Sequence, residues 1–245
     1  MQGKTAGMGA RPAPRPQLHA ELKAHPRAAP RVDAVEVVLY HDVLCSWCYV
    51  ADQRIDQLRD EFGPALRWSL KGFPLRTEDR LPDKKQRQLL ARHFRRVAKE
   101  AEGRGVKADL WTGRDPPSSS MPPLVALEAA LTQGPEAQRE LLMAMRKAAF
   151  LEGINVARRD VLLELAAQSS LDVPGFLEQL DDPRTTRAVE DGCDEAEGHG
   201  IKGVPALVIG GEWLMQGARE LSDYRHVIDK YLAERSAGSQ LRVLH

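Results

Sequence analysis

The stretch Val35 to Phe62, VEVVLYHDVLCSWCYVADQRIDQLRDEF, constrains the fold more than any other part of the chain. Its opening run, Val35 to Tyr40, is valine-rich and has the length of a buried strand. After a short turn, His41 to Leu44, apolar residues fall at Cys48, Ala51, Ile55, Leu58 and Phe62. Those spacings of three, four, three and four draw one stripe along a helix. The pair Cys45-Ser46-Trp47-Cys48 therefore stands where a strand hands over to a helix.

That position has chemical consequences. Cys45 falls in the first helical turn, where backbone N–H groups lack intrahelical partners and the helix dipole is positive. Both features favour a thiolate over a thiol. Cys48, three residues on, shares that face within disulfide reach, one turn deeper on the apolar stripe. The asymmetry makes Cys45 the exchanging thiol and Cys48 the one that resolves a mixed disulfide. Half of a four-cysteine zinc site, or two ordinary buried thiols, are the other readings of such a pair. A structural zinc site needs a second ligand pair, and Cys193 is the sole remaining cysteine. With Val189 and Ala196 at helical spacing around it, Cys193 reads as a core residue.

The 245 residues suffice for one domain carrying an inserted subdomain. Their hydrophobic fraction of 42% and charged fraction of 29% are ordinary for a globular protein. No apolar run is long enough for a membrane span. The formal net charge of zero offers no global argument for nucleic acid. Residues 1–33 carry six basic and two acidic residues and five prolines, so they read as a disordered basic tail. They lack the apolar core of a secretory signal and a twin arginine, and with three cysteines in all the chain is expected to be cytoplasmic.

Gly63-Pro64 breaks the first helix, and Leu66, Trp68 and Leu70 then alternate with polar residues as a strand does. Residues 34–80 thus read strand–helix–strand, a parallel pair joined by a right-handed crossover. Residues 81–199 read as helical. Lys84 to Glu102 sets Leu90, Phe94, Val97, Ala98 and Ala101 on one face and Lys and Arg on the other, a basic face read as solvated surface. Further helices begin at Pro122-Pro123, at Pro135 (ending near Gly153), around Val161, at Asp172-Val173-Pro174 and near Asp182. Residues 200–236 return to strand character: Ala206 to Ile209, Gly210-Gly211, then Glu212 to Gln216 make a hairpin, followed by a closing helix. Residues 237–245 read as a frayed end.

The Cys45–Cys48 helix opening, the Gly203-Val204-Pro205 turn into a hairpin and the terminal helix together resemble the thioredoxin superfamily. The helical block between the halves resembles its DsbA-type branch, most closely the FrnE-like proteins, which share their architecture with 2-hydroxychromene-2-carboxylate isomerases and kappa-class glutathione transferases. Ala149-Phe150-Leu151-Glu152-Gly153-Ile154-Asn155 is similar to that family's Phe-x-x-Gly-x-(Asp/Asn) turn. The resemblance implies an α/β thioredoxin-like fold, βαβ…ββα, with a large inserted all-helical subdomain. It implies a cis Pro205 facing Cys45, with Val204 and Pro205 holding the substrate, and Ser46 and Trp47 tuning the redox poise.

Among the neighbours, Asp42 reads either as a proton relay for Cys48 or as a turn-capping residue. His41 reads as an exposed turn histidine in preference to a stabiliser of the thiolate. The expected activity is thiol–disulfide exchange with a protein or small-molecule substrate, glutathione or a thioredoxin-type protein serving as reductant, and no bound cofactor, metal, nucleic acid or membrane. Two other readings accompany it. One is a glutathione-dependent isomerase or transferase acting on small organic molecules, although those isomerases usually carry Ser where Cys45 stands. The other is a non-enzymatic binding module on the same scaffold.

Overall fold

The computed structural model describes residues 34–243, with side chains through Ser236. The expectation for the basic tail of residues 1–33 lies outside the described residues. Four strands form one mixed sheet in the order β2-β1-β3-β4. Strand β1 (Val35–His41) pairs in parallel with β2 (Leu66–Gly72), from Val35 opposite Leu66 to His41 opposite Gly72. On its other edge β1 runs antiparallel to β3 (Ala206–Ile209), which continues antiparallel into β4 (Trp213–Gln216). Helix α1 (Ser46–Phe62) is the crossover between β1 and β2.

The period of two in β1 feeds two cores. Val35, Val37 and Leu39 join the main cluster, while Val38 and Tyr40 pack with Ala196, Ile201, Ala206 and Val208. Both faces of β1 are therefore covered, which is why it reads as a nearly continuous apolar run. The hairpin loop between β3 and β4 uses Gly210 and Gly211 at φ of 60° and 75°, a conformation that L side chains rarely adopt.

Between β2 and β3 lie α2 (Lys84–Val97), α3 (Asp109–Thr112), α4 (Met121–Leu131), α5 (Pro135–Lys147), α6 (Arg159–Gln168), α7 (Val173–Asp181) and α8 (Pro183–Gly198). Their apolar stripes share the main core with the sheet: Phe94, Leu124, Met145, Leu162 and Phe176 belong to the same cluster as Val37 and Leu207. Asp83 caps α2 through a reciprocal box with Gln86, and Asp172 and Asp182 cap α7 and α8. After α5 the chain widens into a π turn, Ala148–Glu152, closed by Gly153 at φ 74°. That turn seats Phe150 edge-on against Tyr49 of α1 and against Phe94 of α2, with ring centroids 5.3 Å apart in each case.

Three sequence expectations are corrected. The α2 helix stops at Val97, not Glu102. Beyond that end, Glu100 and Glu102 both bind the buried Arg54 of α1. Cys193 is half-buried. The buried line of α8 runs from Thr185 through Val189 to Ala196, and Cys193 stands at its margin. The closing helix α9 (Leu221–Val243) continues through most of the segment read as frayed. Only Gly238 interrupts its helix-forming residues there, and one interior glycine costs about 1 kcal/mol. Among the described residues no helix is long and apolar enough to cross a membrane.

Candidate redox site at the start of the first helix

Strand β1 delivers the chain to a turn that Asp42 locks. The Asp42 carboxylate accepts the backbone N–H of Leu44 (2.7 Å) and that of Leu75 (2.7 Å), and the Cys45 N–H donates to the Asp42 carbonyl (3.2 Å). The first of these is an Asx turn, the local geometry that a short carboxylate side chain favours. Asp42 is fully buried, and burial raises its pKa, offset in part by the amides of Leu75 and Leu44.

Cys45 is the N-cap of α1. Its backbone is extended (φ −82°, ψ 111°) and its Sγ accepts the N–H of Cys48 at 3.3 Å. A sulfur thus stands where Ser or Asp usually caps a helix, facing one of the unpaired amides of the first turn. Cys45 is half-buried and Cys48 is fully buried; both are free thiols. Burial pushes the Cys48 thiol well above its ordinary pKa and the neighbouring Cys45 adds to the effect, while Arg146 and the Asp42 backbone pull the other way.

The Val204–Pro205 peptide bond is cis, as the resemblance implies. It brings the Val204 carbonyl oxygen to 3.7 Å from the Cys45 Sγ, across 159 positions of sequence. The Pro205 carbonyl is itself engaged by the Gly217 N–H at 2.8 Å. Of the two residues between the cysteines, Ser46 is buried. Trp47 is partly exposed, and the Arg96 guanidinium lies over its ring, 5.9 Å from the centroid. All seven sequence-predicted site residues, Asp42, Cys45, Ser46, Trp47, Cys48, Val204 and Pro205, thus belong to one locality around the start of α1.

The layer beneath them is not foreseen in the sequence. His41 is buried at the end of β1, not exposed in a turn as expected, because it pairs with Gly72 and is covered by α5. Its Nδ1 is 3.5 Å from the Arg146 Nη2, and Arg146 in turn donates to Asp52 at 2.5 Å. Burial, then the Arg146 charge, lowers the His41 pKa well below its usual value, so the ring is neutral. Asp52 could have been noticed. It lies four residues after Cys48 on the helix whose apolar stripe includes Ile55 and Leu58, and a buried carboxylate requires a partner. Nothing local in the sequence points to Arg146 as that partner.

A ClpXP adapter protein SpxH from Halalkalibacterium halodurans is 29% identical over 166 residues, covering 65% of this chain and 53% of the relative. The chain spans about half the length of the curated relatives it matches. Among solved structures, a Nitrosomonas europaea protein to which disulfide isomerase activity is ascribed has a TM-score of 0.75 at 18% identity, covering 82% of this chain and 98% of that one. The cytosolic disulfide reductase DsbM from Pseudomonas aeruginosa has a TM-score of 0.64 at 25% identity, covering 81% and 98%, and has also been solved with GSH. A family model described as a DSBA-like thioredoxin domain matches residues 36–229, the strand–helix–strand start, the helical block and the returning hairpin alike, and the chain belongs to that family.

Proposed function

We propose that this protein is a DsbA-type thiol–disulfide oxidoreductase in which Cys45 exchanges with the substrate and Cys48 resolves. The observation that carries this reading is the pairing of a partly accessible Cys45 Sγ with both the Cys48 amide and the Val204 carbonyl, while Cys48 is sealed directly behind it.

In the reducing direction, the Cys45 thiolate attacks one sulfur of a substrate disulfide. The S–S bond breaks, and the leaving sulfur departs as a thiolate and takes a proton from solvent. Cys48 then gives up its proton and attacks the Cys45 sulfur of the mixed disulfide. The second substrate thiolate is released, and a Cys45–Cys48 disulfide remains. Two electrons pass from the pair to the substrate, and the reverse sequence oxidises a dithiol. An extended substrate segment pairs with the Val204 main chain as an added strand, which holds its sulfur against Cys45. Asp42 keeps the turn in register, and Ser46 and Trp47 set the environment of the pair.

The GSH complex of DsbM supports glutathione as a small thiol partner, and its description as cytosolic supports the cytoplasm as the compartment. The kinship with SpxH favours a protein as client and gives the binding-module reading a specific basis. Dithiothreitol-driven insulin reduction, comparing wild type with Cys45→Ser, tests the proposal. Cys45-dependent acceleration is expected. No acceleration, with protein binding indifferent to both cysteines, would replace exchange by adapter function.

A further inference from the structure

Helix α2 carries one run without a compensating charge. From Lys84 to Lys99 there is no Asp or Glu. Its buried side, Ala91, Phe94 and Val97, anchors it in the core. Its opposite side exposes Lys85, Leu89, Arg92 and Arg96 at spacings of four, three and four, a single row on a helix surface. Among the described residues none of those three cations lies within ion-pair distance of a carboxylate. Elsewhere five surface arginines are paired, Arg139 on Asp56, Arg158 on Asp160, Arg159 on Asp181, Arg184 on Asp182 and Arg225 on Glu61, whereas Arg104, Arg114, Arg219 and Arg235 stand singly without a carboxylate among the described residues; what distinguishes α2 is that its unpaired cations form a row.

The row leads to the redox site. Arg96, at its end, lies over Trp47, the residue between the two cysteines. Leu75, whose amide is tied to Asp42, begins the segment that connects to α2. Of the five exposed large apolar side chains among the described residues, three (Leu75, Leu81 and Leu89) lie on this segment or on the row itself. Leu89, left in water between the unpaired Lys85 and Arg92 on a row that ends over Trp47, is a feature of a docking surface more than of a merely solvated face.

We propose that the Lys85–Arg96 face of α2 docks an acidic segment of a protein client, with interspersed apolar residues, and so presents that client's disulfide to Cys45. The inference rests on the thiol-exchange reading and names its substrate class. The step it serves is the same balanced exchange: a client disulfide becomes two thiols as Cys45 and Cys48 become a disulfide. The face supplies encounter and orientation. Charge complementarity of this kind acts mainly on association rate and weakens with salt, since the screening length falls from about 10 Å at 0.1 M to about 3 Å at 1 M.

The test uses the reduced full chain and two synthetic peptides with the same internal disulfide, one flanked by Asp, Glu and Leu and the other by Lys and Leu. An uncharged small disulfide, hydroxyethyl disulfide, serves as the reference. The acidic peptide is expected to oxidise the protein about tenfold faster than the basic one at low salt, with near parity at about 1 M salt. In Lys85→Glu/Arg92→Glu the preference should invert. Equal peptide rates alongside reaction with hydroxyethyl disulfide would overturn the docking surface alone. No reaction with any of the three disulfides would overturn the exchange reading and this inference with it. Equal peptide rates with salt-sensitive binding of single-stranded DNA, lost in the double variant, would assign the face to nucleic acid instead.

Discussion

Arg146 donates to Asp52 at 2.5 Å one helical turn below Cys48, and both side chains are shut away from solvent, 0% and 2% exposed. The pair joins α5 to α1 directly behind the reactive end of α1. Removing one partner of such a pair leaves an uncompensated buried charge, which costs about 3–5 kcal/mol. Arg146→Met should therefore lower unfolding free energy in urea by about that amount. Asp52→Leu/Arg146→Met should lose less than either single substitution, because both charges leave together. A single-variant loss under about 1 kcal/mol would mean that the charge is relieved by solvent and the pair is not sealed.

His41 should make stability depend on pH. Its Nδ1 faces the Arg146 guanidinium, a donor only, so the neutral ring is the form that fits. Its folded-state pKa is depressed by burial and then by Arg146, so between that value and about 6.5 the unfolded chain binds the extra proton. The contribution is complete above about pH 6.5 and is lost as pH falls toward the depressed value. Urea midpoints measured from pH 7.5 downward should fall in wild type and fall less steeply in His41→Asn. Parallel curves for the two proteins would refute this assignment.

Much of the scaffold was legible because it is local. The valine-rich run, the three-four spacing after Cys48, the Gly210-Gly211 turn and the helix starts at Asp172 and near Asp182 each act within a few residues. The cysteine pair and the Val204-Pro205 turn were legible as motifs. What escaped depends on packing between distant segments. Arg146 meets Asp52 across 94 positions, and only the way α5 lies on α1 brings them together. His41 reads as a turn residue until β2 and α5 bury it. Cys193 has the right spacing for the core, but α8 is rotated so that Val189 and Ala196 take the buried line and leave Cys193 at the edge. The α2 face shows its charge in the sequence, whereas the lack of opposing carboxylates exists only in the folded surface.

The β3–β4 loop separates backbone strain from crowding. Gly210 and Gly211 both have positive φ, so a side chain at either costs about 1–2 kcal/mol in backbone terms. A Cβ on Gly211 meets nothing within 4 Å, whereas one on Gly210 would fall 1.8 Å from the Tyr231 hydroxyl oxygen of α9. Gly211→Ala should cost about the backbone amount alone. Gly210→Ala should cost at least about 1 kcal/mol more, since α9 must shift to admit it. Thermal or urea unfolding of the two variants checks the ordering, and equal losses would mean that α9 yields freely at Tyr231.

The three thiols should separate in a kinetic alkylation experiment on the reduced native protein. Cys45 is half-buried at the helix start, with its Sγ on the Cys48 amide and the Val204 carbonyl. Cys193 is also half-buried, but burial and then Glu197 and Asp194 raise its pKa, which lowers its thiolate fraction at neutral pH. Cys48 combines complete burial with a pKa pushed well above the ordinary thiol range, so a reagent needs an opening motion to reach it. Iodoacetamide at pH 7 with peptide mapping should label Cys45 first, Cys193 more slowly and Cys48 last, and all three should react alike in urea. Urea removes the burial and the neighbours that distinguish the sites, so convergence there ties the native order to structure and not to local sequence. Early labelling of Cys48 would contradict the division of labour in which Cys45 meets the substrate and Cys48 waits behind it.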